Sequence, residues 1–142
     1  MGKRLILKVN NKREFTERFT EICVGVFELT KKEVLILNEL QIHYLSYQDK
    51  ETSYKDTCLL MYTKLDSIKE ELSINDFGFK KHIRNLKKKS AIFIEDNSLV
   101  INSFLIPVKN FSIEFNIDEG HKEGKEKDGE ASQKGLQDSL KQ

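Results

Sequence analysis

The sequence FKKHIRNLKKKSAI, residues 79–92, combines a dense run of cations with regularly spaced apolar residues. Six of the eleven residues from Phe79 to Lys89 are Lys or Arg, and no acidic residue occurs between Asp76 and Glu95. Lys and Arg neutralise phosphate, and in the major groove of DNA Arg also reads guanine and Asn reads adenine. This segment therefore offers the chemistry for recognising a polyanion.

A helix would place these residues on two opposite sides. At about 100° per residue, Phe79, Ile83 and Leu86 form a narrow apolar stripe that can dock on a core. The polar residues cover the remaining circumference, with some directly opposite the stripe and others on its flanks. These candidate nucleic-acid-binding residues, called the cationic face below, are Lys80, Lys81, Arg84, Asn85, Lys87 and Lys88.

Three interpretations of the cationic face stay open. Solvated Lys-rich helices usually also contain acidic residues that pair with the lysines at i,i+4. This helix has six cations and no acid between Asp76 and Glu95, so its sequence predicts six unpaired cations that repel one another. A nucleic acid is therefore the leading partner, with an ordinary solvated face and an acidic protein partner as the alternatives.

The residues around the basic helix predict where it begins and ends. Asn75 is the expected N-cap after a short turn, and Asp76 in the first turn is favoured by the helix dipole. Gly78 weakens the first turns by about 1 kcal/mol. The helix is expected to end near Ser90, where a left-handed conformation is favoured.

The segments before this helix are mostly helical in their periodicity. Apolar residues spaced by four, three and four positions indicate a first helix, and Thr30 with Glu33 predicts a capping box at the start of a buried one. Residues 43–58 lack clear periodicity and are expected to be a helix end and a loop. Thr63 and Asp66 suggest a weaker capping box.

Short strands are expected at both ends and after the basic helix. Arg4–Val9 and residues 111–117 (FSIEFNI) alternate apolar and polar residues, which is typical of half-buried strands that could pair with each other. Residues 91–94 and 98–101 predict a hairpin around the acidic turn Glu95-Asp96-Asn97, and Pro107 would end it.

This order of elements resembles a winged helix-turn-helix domain of the MarR-like superfamily. The resemblance covers residues 28–107 and rests on the LTKKE opening at Leu29–Glu33, on the pairing of IKEELSIN with FKKHIRNLKKKSAI, and on the hairpin that follows. The chain is also similar to small DNA-binding proteins of bacteriophage type. The resemblance implies that the second helix of the pair lies in the DNA major groove. The chain departs from the family pattern at Ser90, where Gly is usual.

Composition sets the expected limits of the domain. A single α+β, mainly helical domain is expected over residues 1–117, with a winged core at 28–107 and a strand at each end. Residues 118–142, with seven acids and five bases, are expected to be a disordered charged tail, which leaves a net charge of +3 on residues 1–117. No segment has the length of a membrane span or the pattern of a secretory signal, so a cytoplasmic protein is expected.

The sequence contains no recognisable catalytic arrangement. We find no phosphate-binding glycine loop, no nucleophile with a base and no cysteine–histidine spacing for a metal, so neither a cofactor nor an enzyme is expected. The leading hypothesis is a non-enzymatic regulator of transcription or replication that binds double-stranded DNA. The rival is a winged-helix interaction module, such as a polymerase or replisome adaptor or a phage particle component. It would bind protein through its wing or terminal strands and would not bind DNA.

Overall fold

The computed structural model describes residues 3–117, which form a mainly helical α+β structure as expected. The described elements are α1 (Lys12–Phe27), α2 (Lys31–Asp49), α3 (Tyr54–Thr63), α4 (Leu65–Glu71), α5 (Asp76–Lys88), β1 (Ile92–Glu95), β2 (Ser98–Ile101) and a 3-10 turn (Ser103–Leu105). The predicted tail, residues 118–142, lies outside the described part. None of the described helices is both long and apolar enough to cross a bilayer.

Helix α2 is the centre of the core. It is in contact with α1, α3, α4 and α5, and its residues Ile36, Leu37 and Leu40 are completely buried. This explains why residues 34–40 are mostly apolar, since a helix segment packed against several others has little solvated face; Leu35, at 45% exposure, is the exception. The same buried core includes residues of the other elements, namely Met61, Ile68, Leu86, Ile92, Leu99 and Leu105.

Helix α1 docks on α2 partly through polar side chains. Thr16 and Thr20 are fully buried, whereas Val26 is 60% exposed although it belongs to the apolar periodicity of the helix. The Thr20 hydroxyl donates to Gln41 Oε1 (2.8 Å), and Gln41 Nε2 donates to the Leu105 carbonyl (2.6 Å). Buried Gln41 thereby links α1, α2 and the 3-10 turn, and each of its two side-chain polar atoms has a hydrogen-bond partner.

The capping box at the start of α2 is confirmed. The Glu33 amide donates to Thr30 Oγ1 (3.3 Å) and the Thr30 amide donates to Glu33 Oε1 (3.0 Å). The Glu33 side chain is only 1% exposed and also accepts a hydrogen bond from Lys89 Nζ at 2.7 Å. The Glu33 carboxylate therefore has two roles: it caps α2, and it forms a buried ion pair between the first turn of α2 and the end of α5.

The prediction of terminal strands is wrong. Residues 3–9 and 111–117 have no regular secondary structure, and the sheet in the described region has only β1 and β2. An alternating pattern makes a strand only where a neighbouring strand supplies hydrogen bonds, and here neither segment has one. Their apolar residues are consequently exposed, as in Leu5 (83%) and Phe115 (87%).

Residues 43–58 contain the expected helix end and loop, but the loop is shorter than predicted. Helix α2 continues to Asp49, and α3 begins at Tyr54 with Ser53 as its N-cap, so that only residues 50–53 connect them. Burial of Tyr47 and Met61 stabilises helix where the sequence pattern is mixed. The capping box expected at Thr63 does not form, because the Thr63 hydroxyl donates to the Leu60 carbonyl at the end of α3.

The predicted hairpin is confirmed. β1 and β2 pair antiparallel, with Ile92 opposite Ile101 and Glu95 opposite Ser98. Both residues of the connecting turn have positive φ, 52° at Asp96 and 59° at Asn97. This is the signature of a type I′ turn, whose twist matches that of the paired strands and in which Asp and Asn tolerate the left-handed conformation.

We predict that the Glu33 carboxylate contributes strongly to stability. Replacing it with Ala would lower the free energy of unfolding by about 2 to 3 kcal/mol, because the change removes a cap and leaves the Lys89 ammonium unpaired. Urea denaturation measures this. The matched control is Glu21→Ala, which breaks the exposed Arg18–Glu21 pair and should change stability by about 0.5 kcal/mol or less. Equal effects of the two changes would contradict the role of Glu33.

The same carboxylate should make stability depend on pH. Burial alone would raise the pKa of Glu33, but the hydrogen bonds from Lys89 and Thr30 outweigh it, so its pKa lies below the ordinary 4.5. Because the folded-state pKa is lowered, the contribution is complete above the ordinary value and is lost as pH falls through the folded value. The stability difference between the parent and Glu33→Gln should therefore shrink as pH falls below the ordinary pKa of 4.5. A constant difference would contradict this.

Candidate nucleic-acid interface

The start of α5 is fixed by Asn75, as the sequence predicts. Asn75 Oδ1 accepts a hydrogen bond from the Gly78 amide at 2.7 Å. A Cβ atom at position 78 would lie 3.1 Å from that same oxygen, so glycine is the residue that leaves the cap undisturbed. The cap compensates for the low helix propensity of Gly78, and α5 begins at Asp76 as expected.

The acid of α5 is neutralised from the neighbouring helix. Asp76, in the first turn, forms an ion pair with Lys69 of α4. The hydrogen bond from Lys69 and its positive charge lower the pKa of the Asp76 carboxyl below its ordinary value. The start of α5 therefore presents little net negative charge to an approaching anion.

The end of α5 is a Schellman motif centred on Ser90. The Ser90 amide donates to the Lys87 carbonyl (3.0 Å) and the Ala91 amide donates to the Leu86 carbonyl (2.9 Å). Ser90 has φ of 63°, which confirms the left-handed conformation expected there. Ala91 and Leu86 are both completely buried and make the apolar contact that accompanies this motif.

The predicted docking stripe of α5 faces the core. Phe79 is 6% exposed, Leu86 is completely buried and Ile83 is half-buried against the core cluster. This burial fixes the rotation of the helix about its axis. The opposite side of α5 is therefore turned to solvent.

The cationic face lies on the solvent side, apart from its one amide. Its five cations are exposed, and none of them forms an ion pair within residues 3–117. The sixth residue, Asn85, is half-buried on the flank that also carries His82 and Lys89. The structure thus brings Lys80, Lys81, Arg84, Lys87 and Lys88 together on one surface and leaves Asn85 at its edge.

The count of six unpaired cations in this segment is wrong. Lys89 Nζ donates to Glu33 Oε1 (2.7 Å) and to the Glu28 carbonyl (2.8 Å), and so it belongs to the α2–α5 contact. No local pattern around Lys89 indicates this pairing, because Glu33 is 56 residues away in the sequence. Five cations remain available on α5, and Lys89 holds the helix that carries them.

Asn102 also has a structural role that the sequence patterns did not predict. It is 1% exposed, its Nδ2 donates to the Ser90 carbonyl (2.8 Å) and its Oδ1 accepts from the Phe104 amide (2.9 Å). Asn102 therefore joins the end of α5 to the base of the hairpin. The signal for it was weak, since an Asn after a strand also fits an ordinary turn.

The hairpin lies beside one flank of the cationic face. Lys87 lines a shallow groove together with the β1 strand, including Phe93 and Glu95. The turn of the hairpin carries Glu95 and Asp96, both exposed. A nucleic acid on α5 would therefore be attracted by the cations along the helix and repelled by the acids at the tip of the hairpin.

Three potential metal ligands lie close together in the described region. They come from two separate parts of the sequence, so no sequence motif indicated the group. Glu39, His43 and Glu71 can each offer a ligand atom within 4.8 Å of the others. Glu39 already forms a salt bridge with Arg13, with Oε2 at 2.7 Å from the guanidinium. Burial is the main cause that lowers the pKa of His43. This arrangement is explained as part of the α1–α2–α4 contact.

No protein-family model, curated protein or solved structure was found to match this chain. The interpretation of the interface therefore depends on its geometry and charge.

We predict that glycine at position 90 would stabilise the protein. Ser90→Gly removes the strain of a side chain at positive φ and keeps the backbone bonds of the Schellman motif, so the free energy of unfolding should rise by up to about 1 kcal/mol. Lys81→Gly, at an exposed position inside the same helix, should lower it by about 1 kcal/mol. Urea denaturation compares the two, and destabilisation by Ser90→Gly would contradict the assigned conformation.

Proposed function

We propose that this protein is a non-enzymatic, cytoplasmic DNA-binding regulator of transcription or replication that inserts α5 into the major groove. The observation that carries the proposal is the exposed set of five cations on one helix, which a buried apolar stripe turns outward. Five like charges on one surface repel one another, and a polyanion relieves that repulsion.

The arrangement of elements supports a winged helix-turn-helix interpretation. Helix α4, a short turn, α5 and the hairpin follow one another, and α2 packs on both α4 and α5. In such domains the second helix of the pair enters the major groove. Helix α5 has thirteen residues and is therefore about 20 Å long, and a helix with its side chains is about 10–12 Å in diameter, which fits a major groove about 12 Å wide.

The residues of the cationic face receive different roles in this proposal. Lys80, Lys81, Lys87 and Lys88 neutralise phosphates, which supplies affinity without sequence information. Arg84 lies within the exposed surface and is assigned to a base edge, where guanine offers two acceptors to its guanidinium. Asn85 is assigned to an adenine at the edge of the contact, because it is only partly exposed. The acidic turn of the hairpin stays away from phosphate.

We predict salt-sensitive binding of random duplex DNA by the full chain. If each of the four lysines neutralises one phosphate, the logarithm of the association constant should fall by about 3.6 per tenfold increase in salt concentration. Fluorescence anisotropy at several salt concentrations measures the slope. Binding that is absent, or that does not change with salt, would contradict the proposal.

A charge-matched pair of variants locates the binding surface. The triple variant Lys81→Glu, Arg84→Glu and Lys88→Glu should abolish DNA binding. The control variant Lys50→Glu, Lys55→Glu and Lys109→Glu changes the net charge equally at exposed positions outside α5. The control should keep much of the affinity, because its lysines lie off the interface. Equal losses would show that net charge alone governs binding.

The exposed terminal segments favour a second candidate function, that of a protein-interaction module. Eight large apolar side chains in these segments are at least 37% exposed: Leu5, Ile6, Leu7, Val9, Phe111, Ile113, Phe115 and Ile117. An unpaired segment with alternating apolar residues can add to the edge of a partner sheet. An adaptor of a polymerase or replisome, or a component of a phage particle, would use them in this way.

Affinity capture separates the two functions. Ile113→Ser with Phe115→Ser should release a strand-pairing partner, whereas the triple Glu variant on α5 should retain it. An adaptor is supported if this pattern appears and the parent protein binds no DNA. Loss of the partner from the α5 variant alone would exclude the terminal segments as the contact.

A further inference from the structure

Phe77, in the first turn of α5, is an aromatic residue turned to solvent. It is 73% exposed, while Phe79 two positions later is 6% exposed and docks on the core. Helix α5 therefore achieves its packing without Phe77. Within the described residues Phe77 also has no aromatic stacking partner.

Phe77 lies on the same side of α5 as three cations of the cationic face. Phe77, Lys81, Arg84 and Lys88 are spaced by four, three and four residues, so that they form one row along the helix. Three members of this row are cations and the fourth, at the N-terminal end, is a phenyl ring. The acid beside it, Asp76, is paired with Lys69. The row thus begins with an uncovered apolar surface in an otherwise cationic environment.

Single exposed apolar residues are common on proteins, so exposure alone identifies nothing. The end of the helix at which Phe77 lies is more informative. The N-terminal residues of a recognition helix are those that reach base edges in the major groove. An apolar ring there has no hydrogen bond to offer, and the apolar group that the major groove presents is the C5-methyl of thymine.

We propose that Phe77 determines specificity by packing against a thymine methyl group in the major groove. This inference rests on the proposed DNA binding by α5 and adds to it the class of base that the helix prefers at its N-terminal end. Cytosine lacks this methyl group, and so a T·A pair is favoured at the contacted position. The lysines of the row hold the helix on the DNA phosphates, while Phe77 distinguishes the base.

The test uses the full chain and a duplex selected from random sequences for tight binding. Each thymine is replaced in turn by deoxyuracil, which removes the methyl group and keeps the base pair. At one thymine per bound helix, this replacement should weaken binding of the parent about fourfold. That is the change in affinity expected from losing the burial of one methyl group. Phe77→Ala should bind the two duplexes equally, with an unchanged salt slope because no phosphate contact is lost.

Phe115→Ala is the matched control, since Phe115 is an exposed phenylalanine outside α5, and it should discriminate as the parent does. Discrimination that persists in Phe77→Ala, or that is absent from the parent although binding is salt-dependent, would overturn the role of Phe77 and leave DNA binding intact. Absence of duplex binding by the parent would overturn both proposals. Tighter binding of single strands than of duplex would assign Phe77 to base stacking and contradict the methyl contact.

Discussion

The buried carboxylate of Glu33 is the contact on which the arrangement of the interface depends. It closes the first turn of α2, accepts a hydrogen bond from Lys89 Nζ, and is almost entirely removed from solvent. A buried carboxylate is costly unless it is paired and hydrogen-bonded, and here both conditions are met. Because its partners lie on two helices, this one group fixes the C-terminal end of α5 against the start of α2.

The remaining contacts of α5 complete this constraint. Burial of Phe79 and Leu86 sets the rotation of the helix, the Asn75 cap sets its beginning, and Asn102 holds its end against the hairpin. A side chain on the opposite face has no freedom to turn inward. Packing therefore determines that the cations of α5 face the solvent together. The proposed function depends on this common orientation more than on the number of lysines.

Sequence reasoning succeeded where structure depends on local chemistry. The Thr30–Glu33 box, the Asn75 cap, the left-handed Ser90 and the hairpin turn all involve residues a few positions apart, and all of them are present. The docking stripe of α5 was equally readable, since helical periodicity reports which face is apolar.

Sequence reasoning failed where the outcome depends on distant parts of the chain. A strand needs a neighbouring strand, so the alternation at residues 111–117 could not establish a sheet by itself. The continuation of α2 to Asp49 depends on packing in the core. Lys89 could not be separated from its neighbouring cations, because Glu33 is 56 residues away in sequence. Only the structure separates Lys89, which anchors the helix, from the five exposed cations of α5.

A two-dimensional amide NMR titration of the full chain with duplex DNA tests binding through α5 directly. Binding through α5 predicts that the largest shifts occur along its exposed row, at Phe77, Lys81, Arg84 and Lys88. The amides of residues 111–117 should remain unchanged. Shifts concentrated in the terminal segments or at the hairpin turn, or no shifts at all, would contradict it.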